Sequence, residues 1–412
     1  MLLFRIFSKW FPLIILILAT LSVCSKEFSP RLNSQSSNLN PNQENIMIRQ
    51  FLNDQLNSRA DINLPKGVWE IKWKIPIAKG LNPNLILATD DRVLVCGSKA
   101  WQLFDLSGNM ILINKYSNSD ITIDTQKSLI YCADENSMLV AYNISDGKIN
   151  FILDEIYGVN YRRAFITRNN NLLLVLSNEQ KLDPHSVDDP EDSYIQTQIM
   201  SERVSVDNLQ ILTNSKKGKI EMIESAEVMA LANDNYFVIT YSDHVEFLDS
   251  ELNRVKTFNE KFTPLAFSLD ENNFVYLVVR TINDKNALWV INSDMEKFFE
   301  LDLPDSENYQ PPCIGFDGTV YINLGNQILA IRTDTGQLWN QYTHHVSGLT
   351  ALSDNNLLLA EANFILVFNT EGERRLVFEF PEGTHLTMPF INNNGEIFVA
   401  DKSNLYSLQI TK

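Results

Sequence analysis

The sequence predicts an all-β fold, a β-propeller of eight four-stranded blades, on three observations. A short turn rich in Asp, Asn and Gly recurs eight times along the chain. Each copy is followed by the same succession of apolar strands and turns. A further alternating stretch stands ahead of the first copy, where it can supply the strand that the last copy lacks. Seven blades is the alternative count, should one unit be misread.

The recurring turns lie at 89–92, 124–127, 168–171, 233–235, 270–273, 317–319, 353–356 and 392–395. Asn, Asp and Gly adopt positive φ readily and so favour tight hairpins. Each turn leads into an apolar run such as Val93-Leu94-Val95-Cys96, Phe237-Val238-Ile239-Thr240 or Val320-Tyr321-Ile322-Asn323. A further run follows, such as Leu103-Phe104-Asp105, Val245-Glu246-Phe247-Leu248 or Ile365-Leu366-Val367-Phe368. Four short strands at a period of about 36 to 48 residues is the arithmetic of a propeller blade. The third unit breaks the period, which places an insertion between its second and third strands, at Gln180 to Asn208. The eighth unit ends after its third strand, and Trp69 to Pro76 alternates as a strand should, so it is expected to close the ring.

A third turn also repeats, as Ser107-Gly108-Asn109, Asp146-Gly147-Lys148, Asp334-Thr335-Gly336-Gln337 and Thr370-Glu371-Gly372-Glu373. In one copy it runs on to Leu338-Trp339. Here the sequence resembles the PQQ-type repeat of quinoprotein-like propellers, whose consensus ends in a Thr-Gly turn and a tryptophan that packs between blades. Phe151, Phe299 and Phe378 stand near that place in other copies. The YVTN-type and WD40-like repeats are the related alternatives.

The N-terminus reads as an export signal at residues 1–23. Arg5 and Lys9 form its positive end, and Trp10 to Val23 is uncharged, a length that suits a signal better than a spanning helix. Leu21-Ser22-Val23-Cys24 resembles a bacterial lipobox, which implies lipidation at Cys24, although Val23 departs from the usual Gly, Ala or Ser. An ordinary signal or an uncleaved anchor is the alternative. Residues 24–67, rich in Asn, Ser and Gln, suit a flexible tether with one short amphipathic helix at Glu44 to Ser58, and residues 68–412 form the propeller.

The formal charge is −17, and removal of residues 1–23 makes it more negative by two. Such a body repels phosphate backbones, which excludes nucleic acid as a partner. Cys96, Cys132 and Cys313 cannot pair completely and read as small buried hydrophobes.

In a propeller the first-to-second and third-to-fourth turns lie on one face, and all the tight turns above belong there. The opposite face collects the second-to-third loops and the connections between blades, where a rigid scaffold carries function. On it fall the candidate protein-binding residues Tyr157, Tyr161, Arg162, Arg163, His185, Tyr309 and His344, a Tyr and Arg mixture typical of interface anchors. Solvated loops and interblade packing are the plainer explanation of the same residues. The acidic run 181–192 lacks the order of a calcium loop, and no metal-type cysteine spacing is present.

Quinoprotein dehydrogenases share the repeat but carry an adjacent Cys-Cys pair and a tryptophan in nearly every blade. This chain has no such pair and six Trp in all. No catalytic residue, metal ligand or cofactor is therefore expected. The reading is an exported, membrane-tethered, non-enzymatic propeller that docks other envelope proteins, held by an N-terminal lipid to the outer or cytoplasmic membrane. The nearest functional class by resemblance is the PQQ-repeat lipoprotein of the outer-membrane barrel assembly machinery. The alternatives are a secreted, surface or periplasmic propeller binding a glycan, a peptide or a small ligand in its central funnel, and a cryptic quinoprotein-like or lyase enzyme.

Overall fold

The computed structural model describes residues 59–60, 62–89, 91–97, 100–115, 121–124, 127–133, 139–153, 160–166, 172–178, 206–213, 216–224, 229–232, 237–241, 243–249, 253–270, 272–306 and 309–411. The chain divides into two compact units, residues 1–37 with 214–216 and residues 38–213 with 217–412. The architecture below is that of the second unit. The expected signal, Cys24 and the expected helix at Glu44 to Ser58 lie outside the described residues.

Every element among the described residues is a strand. Two short segments open the series, β1 (Arg59–Ala60) and β2 (Trp69–Pro76). Seven consecutive sets of four strands then each form one sheet in chain order. They are β3–β6 (Pro83–Ala88, Arg92–Gly97, Ala100–Asp105, Met110–Lys115) and β7–β10 (Thr122–Asp124, Leu129–Ala133, Leu139–Asn143, Ile149–Leu153). Next come β11–β14 (Asn160–Ile166, Leu172–Asn178, Val206–Thr213, Lys216–Glu224) and β15–β18 (Met229–Ala232, Phe237–Thr240, His244–Leu248, Arg254–Asn259). These are followed by β19–β22 (Phe262–Leu269, Val275–Thr281, Asn286–Ile291, Lys297–Asp302) and β23–β26 (Cys313–Ile314, Val320–Asn323, Gln327–Arg332, Gly336–Tyr342). The seventh set is β27–β30 (Val346–Leu352, Leu357–Glu361, Phe364–Phe368, Arg374–Glu379). The last three strands, β31 (Phe390–Ile391), β32 (Ile397–Ala400) and β33 (Asn404–Ile410), complete their sheet with β2 in the order β2-β33-β32-β31.

The ring closes at that sheet. β2 runs antiparallel to β33, from Trp69 opposite Ile410 to Pro76 opposite Asn404. The first strands of successive sheets adjoin one another, β7 and β11, β11 and β15, β15 and β19, β23 and β27, and finally β31 and β3. These strands therefore line the axis, and the fourth strands form the rim. Pairing chain ends in this way leaves no sheet open to add further strands at the joint.

The core lies between sheets rather than within one. One apolar cluster joins Val93, Leu94 and Trp101 to Ile123 and Cys132 of the next sheet and to Phe398, Ala400 and Leu405 across the closing joint. Others join Ile314 and Ile331 to Ala266 and Val290, and Tyr321 and Trp339 to Leu357 and Phe368. Strands buried on both faces read as continuous apolar runs, which is why Val275 to Val279 and Leu357 to Glu361 show no alternation. Cys96, Cys132 and Cys313 are buried in this core, and no disulfide joins them. Burial pushes the Cys96 thiol up, and Cys132 in the neighbouring sheet adds to the shift.

One turn design serves both recurring turns. Asp270 Oδ1 accepts the backbone N–H groups of Asn272 and Phe274 at 2.8 and 2.9 Å, and Asn392 Oδ1 those of Asn394 and Glu396 at 3.0 Å. After the third strands, Asp105 and Asn369 hold Ser107 and Asn109, and Glu371 and Glu373, in the same way. The fourth residue of each turn is left-handed: Asn273 at φ 64°, Gly395 at 78°, Gly108 at 85° and Gly372 at 81°. Met295 occupies that position in its turn at φ 67°. A left-handed residue with a Cβ costs roughly 1–2 kcal/mol, partly offset by the entropy a glycine would lose on folding. Met295→Gly is accordingly expected to raise stability by about 0.5–1 kcal/mol in urea unfolding.

The fourth strand of one sheet is fastened to the third turn of the next. Trp73 Nε1 donates to Leu106 O at 2.9 Å, and Trp339 Nε1 to Thr370 O at 3.0 Å. Lys256 Nζ donates to Ser293 O, the same position of its turn. Each indole lies against the turn glycine: a Cβ on Gly108 would stand 3.4 Å from Trp73, and one on Gly372 would stand 2.9 Å from Trp339. Leu112 approaches Gly147 in the equivalent place. Phe151, Phe299 and Phe378 lie on the fourth strands of their own sheets, opposite Ala141, Val290 and Ile365.

Candidate functional site

Among the described residues, the recurring turns join a first strand to a second, so with the third-to-fourth turns they occupy one face of the ring. The opposite face carries the second-to-third turns and the connections between sheets. It is there that polar side chains are buried at strand ends.

Asn323 closes β24 and is 1% exposed. Its Nδ2 donates to Gln310 Oε1 at 2.9 Å and to Val346 O at 3.3 Å, while its Oδ1 accepts Gly325 N–H. One amide thus ties the connection before β23 to the start of β27. Glu361 closes β28, equally buried, and its Oε1 accepts the backbone N–H of His344 at 2.8 Å. Arg374 Nη2 lies 3.3 Å from its other oxygen. The ring of His344 itself is exposed, and His345 beside it is left-handed at φ 53°.

Tyr309 sits half-buried in the connection between β22 and β23 and donates to Pro304 O. Burial, with Asp305 adding to it, pushes its hydroxyl up from the ordinary phenol range. Asp305 in turn accepts Asn286 Nδ2 at 2.8 Å. A third cluster surrounds Glu246, whose Oε1 meets Arg254 Nη2 at 2.6 Å and His244 Nε2 at 3.2 Å. Tyr241 stacks on His244 with ring centroids 4.1 Å apart, and Asp243 Oδ1 lies 2.6 Å from its Nδ1. These carboxylates are matched by cations and N–H donors, as buried charge requires.

The turn after β32 adds a testable acid. Asp401 accepts the backbone N–H groups of Ser403 and Asn404 at 2.6 and 2.7 Å and the Tyr406 hydroxyl at 2.6 Å. Burial raises its carboxyl, but these donors outweigh burial and hold it below the usual range. The stability it contributes is present above the unfolded carboxyl value, about 3.9, and is lost as pH falls through the lower folded one. Asp401→Asn is expected to weaken the ring near neutral pH and to flatten the fall in stability between about pH 5 and pH 3, read from urea midpoints.

Of the residues expected at this face, Tyr309 and His344 stand on neighbouring connections that Asn323 links. Tyr157 and His185 lie outside the described residues. Tyr161, Arg162 and Arg163 correct the expectation: they belong to β11 itself and not to the loop ahead of it, with Arg162 at a bulge between Tyr161 opposite Leu176 and Arg163 opposite Val175. An extra residue in an antiparallel pair keeps the ladder intact on both sides, so the strand starts earlier than its apolar run. The sequence reading missed Glu246, Asn323 and Glu361. A polar residue within or ending an apolar strand was the available signal, as in Val320-Tyr321-Ile322-Asn323. Among the described residues, no group of three or more His, Cys, Asp or Glu side chains is placed to hold a metal ion.

No family model and no curated protein matches the sequence. Solved structures do match in shape. BamB from Moraxella catarrhalis is 12% identical and superposes with a TM-score of 0.55, over 83% of this chain and 100% of that one. The quinohemoprotein alcohol dehydrogenase ADHIIG from Pseudomonas putida HK5 is 8% identical with a TM-score of 0.59, over 86% of this chain and 78% of that one. The fold is a β-propeller. At these identities the likeness is one of architecture, and propellers host unrelated activities, so the work of this propeller has to be argued from its own residues.

Proposed function

We propose that the chain is an exported propeller, tethered to a membrane through a lipid on Cys24, that docks other envelope proteins on the face of its interblade connections. The reading places it in envelope or outer-membrane protein assembly, without chemistry of its own. Residues 1–23 serve as the export signal, and the chain from Cys24 towards the first described strand serves as the tether.

The observation that carries the reading is the asymmetry between the two faces. On one, the turns that follow β19, β23, β27 and β31 are short and held by their own Asp or Asn, Asp270, Asp317, Asp354 and Asn392. On the other run the connections 343–345 and 380–389, with residues 303–306 and 309–312. A rigid ring that gathers its varied segments on one side presents them at fixed spacing, the arrangement by which loops recognise partners. The resemblance of the repeats to the propeller lipoprotein of the barrel assembly machinery, and the fold shared with BamB, agree with this assignment.

Two measurements test it. Metabolic acyl labelling of the wild-type chain is expected and should vanish in Cys24→Ala; a soluble, unlabelled wild-type protein would sink the anchor. Crosslinking in intact envelopes should capture specific partners and lose them in a Tyr157→Ala, Arg162→Ala, Tyr309→Ala variant of unchanged thermal stability. Undiminished capture by that variant would reject this face.

A further inference from the structure

The sixth sheet, β23–β26, differs from its neighbours on the face of the interblade connections. It sends three segments there: residues 309–312 ahead of β23, residues 324–327 between β24 and β25, and residues 340–345 from the end of β26. They read Tyr-Gln-Pro-Pro, Leu-Gly-Asn-Gln and Asn-Gln-Tyr-Thr-His-His, with no Asp, Glu, Lys or Arg among them. Exposed charges stand on both sides, Arg280, Asp284, Lys285 and Asp302 on the fifth sheet and Glu379 and Glu382 at the end of the seventh. Those of the fifth sheet are paired with one another, Lys285 with Asp302 at 3.1 Å and Arg280 with Asp284 at 3.7 Å.

Hydrogen bonds bind the three segments into one platform. Gln327 stands opposite Tyr342 in the ladder, and Thr343 N–H donates to Asn326 O at 2.9 Å. Buried Asn323 donates to Gln310 Oε1 and accepts Gly325 N–H, and His344 N–H ends on Glu361 Oε1. Above this fixed backbone the Tyr342 side chain is 77% exposed. Residues opposite or two apart in a ladder share a side, so Asn340 and Gln327 lie on the side of Tyr342. Asn326, Asn340, His344 and His345 are exposed beside it.

This surface selects among partners by what it lacks. A phosphate or carboxylate finds no Lys or Arg in the three segments, and a basic segment finds no carboxylate. A lipid tail finds one exposed ring rather than an apolar patch. A partner that is uncharged and dense in hydroxyls meets what is present. The C–H face of a sugar ring rests on the negative face of an aromatic ring. Hydroxyls donate and accept at once, as the amides of Asn and Gln do. Because the backbone of the platform is already held, binding orders little of it.

We propose that the connection side of the sixth sheet binds an uncharged glycan, with Tyr342 as the stacking surface and Asn340, Asn326 and His344 as the hydrogen-bonding groups around it. Tyr342 ends a fourth strand, so the site lies towards the rim and away from the central funnel. It is a second binding activity, beyond the docking of proteins, and does not rest on that reading.

The full chain is titrated by calorimetry with three uncharged oligosaccharides, N-acetylchitotetraose, cellotetraose and maltotetraose. At least one is expected to bind with a Kd of about 1 mM or tighter. Tyr342→Ala should weaken that binding by about tenfold or more, and Tyr342→Phe, which keeps the ring, by less than about threefold. Leu338→Ala, exposed nearer the other end of β26, should leave it unchanged. If Tyr342→Ala does not fold, Asn340→Ala takes its place, with an expected loss of about threefold or more. Absence of binding by all three sugars overturns the site, as does binding that Tyr342→Ala and Asn340→Ala leave unchanged. Protein capture that Tyr342→Ala abolishes, without any sugar binding, gives the platform to a protein partner and overturns the glycan. None of these failures touches the lipid anchor or the test of Tyr157, Arg162 and Tyr309.

Discussion

Replacing Trp339 by alanine is expected to cost about 3–5 kcal/mol, the range for truncating a buried tryptophan. The indole is 9% exposed and is shared by two blades. It stacks on Phe368 with centroids 5.9 Å apart and an interplanar angle of 20°, touches Tyr321 at the same distance, and donates to Thr370 O at 3.0 Å. Its removal therefore deletes apolar burial, two ring contacts and the partner of a turn carbonyl at once. Trp339→Phe should fall between, keeping the stacking and losing the donor. Urea midpoints of the three proteins check this ordering. An alanine variant as stable as wild type would mean that the fastening of one fourth strand to the next third turn contributes nothing to the ring.

Shortening the chain to begin at Ile77 is expected to have the larger effect, the loss of a soluble, folded ring. Without β2, the edge of β33 is left unpaired from Asn404 to Ile410. Trp69 leaves the cluster it shares with Leu358 and Leu408, and Trp73 leaves Leu106 O and the Phe398 ring. An exposed strand edge beside an opened apolar seam is an aggregation site. Gel filtration and near-ultraviolet circular dichroism give the readout, and a peptide copying residues 59–76 added during refolding should rescue the monomer. Monomeric, native-like protein without the peptide would show that the ring does not depend on the terminal strand.

Both predictions rest on features that could be read before any coordinates. The alternation of Trp69 to Pro76 and the missing fourth strand of the last repeat pointed to closure, because a blade lacking one strand needs a donor and the chain offered one. The Thr-Gly turn running on to Trp339 pointed to interblade packing. The recurring turns located the boundary between first and second strands, and at Asp270 and Asn392 the device is local: the side chain caps the N–H groups two and four residues on, and a left-handed residue follows. The candidate face was less legible. Residues 160–163 resembled a loop because Asn, Tyr and Arg lack an apolar pattern, yet they pair with Val175 to Ser177 across the ladder as part of β11.

What the sequence by itself determined was the repeat: where each blade turns, which runs are buried on both faces, and which terminal strand completes the ring. These are consequences of backbone preference and apolar periodicity, which act over a few residues. Only the tertiary structure decided how blades are joined and what the chain does before β2. The Lys256 bond to Ser293, the Asn323 bridge from Gln310 to the start of β27, and the contacts of Asn63 with Ser353 and of Pro65 with Gly395 unite positions tens to hundreds of residues apart. No local rule encodes such pairs, because each depends on closing the ring first.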